Sequence, residues 1–147
     1  MKKFRFPLEK LLNYRRARLM AEQAKLERML AEQRVLCERR QALEREDRMI
    51  RENLLKLQVL TSAELEAAAA FRRFAETEAA HLISLEGELA SRLERQRKAL
   101  LAARREVEVL EQLRERKYED WRRELDRALE AQVADLVVAR WRSQHRS

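Results

Sequence analysis

Along the first third of the chain, mostly apolar residues recur every seven positions. One series reads Leu8, Arg15, Glu22, Met29, Leu36, Leu43, Ile50 and Leu57. A second, four residues on, begins Leu12, Leu19 and Leu26, then turns polar at Gln33, Arg40 and Asp47 before Leu54. Two positions repeating with that period form the seam of a coiled coil, here with a weakened middle. Val35, Ala42 and Met49 flank the first series, so the packing face is expected to rotate through the middle instead of vanishing. Pro7 belongs in the first turn of a helix, where its missing N–H would have had no intrahelical partner. Glu44 with Arg48, and Asp47 with Arg51, support the exposed face as pairs four apart. The pattern predicts a first long helix over residues 7–60.

The repeat breaks at "VLTSAELEAAAAFRRFAETEAAHL". Thr61 and Glu64 have capping-box spacing, so a new helix is expected to start at Thr61 or Ser62. Residues 61–81 are read as a short helical connector. From Leu82 the period returns through Leu89, Leu93, Gln96, Leu100, Ala103, Val107 and Leu110, then slips through Leu113 to Tyr118, Trp121, Leu125 and Leu129. This gives a second long helix over 82–141 and a basic tail at 142–147. Gly87 is expected to weaken that helix by about 1 kcal/mol relative to Ala and marks a candidate kink. Each helix, at roughly 50–60 residues, would run on the order of 80–90 Å, and neither can bury its stripe alone. The expected fold is therefore all-α: a single coiled-coil domain over 1–147, a long antiparallel two-stranded coiled-coil hairpin with a short helical connector. In that register Leu57 faces the region around Leu85, and the start of the first helix lies beside Leu136. A parallel homodimer would require the break near residue 61 to straighten.

Composition agrees with that class. Of 147 residues, 40% are charged and 5% aromatic, with one Gly and one Pro, a mixture typical of long helices. The 46% of hydrophobic residues fall in register and can bury a stripe, which argues against disorder. A net charge of +7 admits acidic protein surfaces, nucleic acid or anionic lipid as partners. Acids are interspersed with the bases along both helices, leaving no clean basic stripe, so nucleic acid is not expected as a partner. The lone Cys37 reads as a small buried hydrophobe in a reducing compartment. The opening MKKFRF is followed by Glu9 and Lys10 before any apolar region, and no run of about 18 apolar residues occurs, so a soluble, unexported protein is expected.

The chain offers little to catalysis. A two-stranded coil has almost no concavity, a single glycine excludes a phosphate-cradling loop, and no Cys or His cluster has zinc spacing. Glu78-x-x-His81 has the spacing used in di-iron bundles, but those sites need two such motifs and further glutamates. No catalytic, cofactor or metal site is expected, and the protein is read as not an enzyme. Three constellations remain. Phe71, Phe74, Glu78, His81 and Leu82 share a face at the closed end, either capping the core or docking a partner. Tyr118 and Trp121 fall on the seam, and Trp141 lies among Arg140, Arg142 and Arg146.

The opening "FRFPLEKLLNYRR", the late stretch "VEVLEQLRERKYEDWRREL" and, more loosely, "FRRFAETEAAHLISLEGEL" resemble the flagellar FliJ family of the type III export apparatus. The resemblance implies a monomeric cytoplasmic stalk at the flagellar base, peripheral to the inner face of the cell membrane. Family members insert their open, termini-bearing end into the hole of a hexameric export ATPase and help the ring assemble. They also contact the cytoplasmic domain of the export gate and escort empty export chaperones. On this sequence the ATPase-binding set would be Leu11, Tyr14, Arg15, Arg16, Arg18, Arg140 and Arg142. The gate-binding face would be Phe71, Phe74, Glu78 and His81, although Glu78 and Ala79 stand where related sequences carry apolar residues. The counterpart stalk of a virulence-type secretion system, a structural tether and a basic nucleic-acid-binding coil are the alternatives.

Overall fold

The computed structural model describes residues 2–146, which form two helices, α1 (Glu9–Lys56) and α2 (Ser62–Gln144), and no strand. The chain divides into two compact units. One joins the residues up to Leu19 to those from Ala102 onward, and the other is the continuous stretch Met20–Leu101. Within each unit α1 pairs with α2 in opposite directions. In the terminal unit Glu9 meets Arg114 while Arg15 meets Glu106; in the turn-bearing unit Glu32 meets Arg92 while Arg40 meets Glu86. The fold is an all-α helical hairpin.

Residues 57–61 alone reverse the chain. The Leu57 N–H bonds back to the Leu54 carbonyl at 3.2 Å as α1 ends. The Thr61 hydroxyl then accepts the Glu64 N–H at 3.2 Å, and the Thr61 carbonyl accepts the Leu65 N–H at 3.2 Å. One orphan donor of α2 is thereby satisfied by the residue whose spacing announced the cap. Residues 62–81 do not form a separate connector, because they are the opening turns of α2 itself. There the heptad positions fall to Ala68 and Ala75 in place of large apolar residues while the helix continues, since Ala67 to Ala70 are strong helix formers and need no tertiary stripe to propagate.

That earlier turn shifts the register. Leu57 shares a shallow cavity with Ala67 and Ala68, and Leu85 lies beside Val35 and Leu36. Glu9 sits beside Arg114 at 2.9 Å, so the start of α1 lies about 20 residues short of Leu136 along α2. The helices are correspondingly unequal, 48 residues in α1 and 83 in α2. α2 runs unbroken through Gly87 and on to Gln144, absorbing the start of the expected tail.

The buried positions of α2 follow the heptad: Ala75, Leu82, Leu89, Gln96 and Ala103 are seven apart, with Leu93 and Val107 beside them. Leu12 of α1 is completely buried, in a cluster with Phe6 and Val107 that Phe4, Leu19, Leu110 and Leu113 border. All but one of the polar seam positions of α1 stay on the seam, the exception being Gln33, which is exposed. Arg15, Glu22, Arg40 and Asp47 are half-buried, whereas Val35 and Met49 are 62% and 60% exposed, so the face does not rotate. Partners explain this: on α2, Glu106 meets Arg15, Glu86 meets Arg40 and Gln96 meets Glu22, while Asp47 pairs with Arg51 one turn on in α1 itself. Cys37 is half-buried, its sulfur 3.6 Å from the Gln41 amide.

Candidate functional site

In the terminal unit, the segment before α1 is held by aromatic packing. The Phe4 ring meets Tyr118 edge-on at 5.2 Å between centroids and lies 5.9 Å from Trp121, and Tyr118 and Trp121 are 5.7 Å apart. The Arg114 guanidinium stands 5.5 Å over the Phe4 ring, and the Trp121 indole N–H donates to the Lys2 carbonyl at 3.2 Å. The two seam aromatics are therefore packing residues that fasten the N-terminal segment to α2. Phe4 carries no periodic signal, and its partners are more than a hundred residues away, so periodicity missed it.

Pro7 stands in the turn that leads into α1, with the Glu9 N–H bonded to the Phe6 carbonyl at 3.1 Å. In the first turns of α1, Arg15 and Arg16 reach across to α2. Arg15 pairs with Glu106 at 2.7 Å and Arg16 with Glu111 at 3.2 Å. Tyr14 and Arg18 are exposed, and Arg15 lies 6.0 Å over the Tyr14 ring. Leu11 borders a shallow groove with Val109 and Leu110. Arg140 and Arg142 do not join this group. The register puts them more than 25 residues beyond Arg114, roughly 40 Å of helix at 1.5 Å per residue.

From Asp126 to Gln144 every residue of α2 is exposed. Leu129, Val133, Leu136, Val137 and Trp141 are among the large hydrophobic side chains left open to solvent. Spacings of three and four put the first four on one side of the helix. Trp141 stacks on His145 at 4.5 Å, and its carbonyl accepts the His145 N–H at 3.1 Å.

In the turn-bearing unit, Phe71 is half-buried and Phe74 is 56% exposed, their rings 6.2 Å apart. His81 is exposed, while the Glu78 carboxylate is held by Arg39 at 3.0 Å. Leu82 turns into the seam, so the exposed part of this face is Phe74 and His81. Attraction by Glu86 pushes the Arg40 guanidinium still higher than its ordinary value, so the guanidinium stays charged.

Among the described residues no group of three or more His, Cys, Asp and Glu side chains could hold a metal ion. No helix among them is long and apolar enough to cross a membrane. Comparison with protein-family models, curated proteins and solved structures finds no match for the chain.

Proposed function

We propose that the protein is a non-enzymatic stalk subunit of a flagellar type III export apparatus, acting in the cytoplasm at the inner face of the membrane. The observation that carries this reading is the stretch of α2 from Asp126 to Gln144, which runs on past the start of α1 as an exposed helix with an apolar side. A single helix is thin enough to enter the hole of a hexameric ring, and it is already ordered, so little entropy is spent on engagement. Arg140 and Arg142 at its far end would meet acidic pore loops of the export ATPase, with exposed Leu11, Tyr14 and Arg18 forming a second, separate contact. Arg15 and Arg16 are committed to Glu106 and Glu111 and serve the hairpin first. At the turn, Phe74 and His81 would face the cytoplasmic domain of the export gate, with Phe71 behind and Glu78 tied to Arg39. Export chaperones are the remaining proposed partners.

The test mixes substoichiometric purified protein with the flagellar export ATPase and follows ring formation and ATP hydrolysis. Stimulation is expected, and the Arg140→Glu/Arg142→Glu variant, which leaves every ion pair between α1 and α2 intact, should lose it. Absence of stimulation by the wild-type chain would replace this reading with that of a structural tether.

A further inference from the structure

The exposed stretch of α2 is built with a symmetry that the stalk reading does not use. Val133 stands at the middle of its segment from Asp126 to Arg140. Leu129 and Val137 lie four residues to either side, and Asp126 and Arg140 lie seven residues to either side. Seven residues are two helical turns, so Asp126, Val133 and Arg140 share one side of the helix, and Leu129 and Leu136 adjoin them. Val133 is 58% exposed, and Leu129, Leu136 and Val137 are exposed with it.

We infer that this stretch is a self-association surface, which takes the same stretch of a second copy of the chain in antiparallel orientation centred on Val133. The charges choose both the partner and the direction. Antiparallel pairing sets Asp126 of each copy level with Arg140 of the other, so the attraction is made twice by symmetry. Parallel pairing would set Asp126 against Asp126 and Arg140 against Arg140. The same arrangement lays Leu129 against Val137 twice and the two Val133 side chains against each other, covering the apolar side that the hairpin leaves bare. Opposed helix dipoles favour the same direction. The helix is already propagated from the paired part of α2, so association does not bear the cost of nucleating it. The pairing covers the surface that ring insertion would use, which makes the two states mutually exclusive.

The experiment is sedimentation equilibrium of the full chain in a Cys37→Ser background across a range of concentrations. A dimer is expected, with Val133→Asp raising its dissociation constant at least ~tenfold by placing two like charges at the centre. Asp126→Arg and Arg140→Asp should each weaken the dimer, and the double swap Asp126→Arg/Arg140→Asp should restore it, because it re-forms both pairs with the signs exchanged. Oxidative crosslinking supplies the direction. A mixture of Leu129→Cys and Val137→Cys chains should crosslink as heterodimers, while Leu129→Cys alone should not. A chain that stays monomeric, a dimer indifferent to Val133→Asp, or efficient crosslinking of Leu129→Cys to itself would each overturn the proposal. None of these measurements involves an ATPase, so they stand or fall apart from the stalk reading.

Discussion

The Gln96 side-chain amide donates to both the main-chain carbonyl of Glu22, at 3.0 Å, and the Glu22 carboxylate, across the seam of the turn-bearing unit. Gln96 is only 9% exposed and occupies a heptad position otherwise filled by Ala and Leu, so the seam there depends on this bond. Replacing Gln96 with Leu leaves Glu22 facing an apolar group and should lower stability by about 1–2 kcal/mol in urea denaturation. Adding Glu22→Leu should recover most of that loss, since two matched apolar partners replace a polar pair nearly neutrally. Strictly additive single effects would show that the two residues are not coupled.

The ion pair between Arg15 and Glu106 holds the terminal unit's register, with both side chains partly exposed. Arg15→Glu should destabilise by about 1 kcal/mol, and the swap Arg15→Glu/Glu106→Arg should restore most of it. The difference should shrink in high salt, as screening requires for exposed charges. Thermal melts at two ionic strengths read both effects.

At Gly87 an added Cβ would meet nothing within 4 Å, in a helix without any positive-φ residue. Gly87→Ala should therefore stabilise the protein by about 1 kcal/mol, because alanine loses less backbone freedom in a helix. A lower melting temperature would mean that the glycine serves a bend or an approach by another molecule.

Phe4 ties the N-terminal segment to Tyr118, Trp121 and Arg114. Phe4→Ala should cost about 2 kcal/mol through lost burial and ring contacts. In a Trp141→Phe background, the emission of Trp121 should shift to longer wavelength as water reaches the indole. An unchanged spectrum would show that the ring cluster does not shelter Trp121.

The heptad made the core legible: Leu12, Leu82, Leu89, Gln96, Ala103 and Val107 all lie on positions that periodicity selects. The Thr61 cap was legible for a different reason, since a hydroxyl and the backbone N–H it satisfies are local to one turn of chain. The length of the connector was not. Near the turn α2 buries little, so the apolar repeat fades in residues that are fully helical, and a fading repeat looks the same whether the helix stops or merely lacks a partner. That one misplacement moved the expected neighbour of α1's first turn from Arg114 to Leu136 and hid the unpaired stretch of α2. Arg40 escaped for a related reason: its partner Glu86 lies on the other helix, and no periodicity within α1 announces it. Of the candidate surfaces, the exposure of Phe74 and His81 follows from their place near the turn. The capture of Arg15 and Arg16 by α2 required the true register.

The tight reversal at residues 57–61 also sets the order in which the hairpin closes. The bonds between the helices join residues 46 apart at Arg40–Glu86, 74 apart at Glu22–Gln96 and 91 apart at Arg15–Glu106, and the N-terminal segment adds one 119 apart at Lys2–Trp121. Each bond formed shortens the loop that the next must close, so zipping outward from the turn is the low-entropy route to the native pairing. The N-terminal aromatics then dock last, and opening starts where they sit.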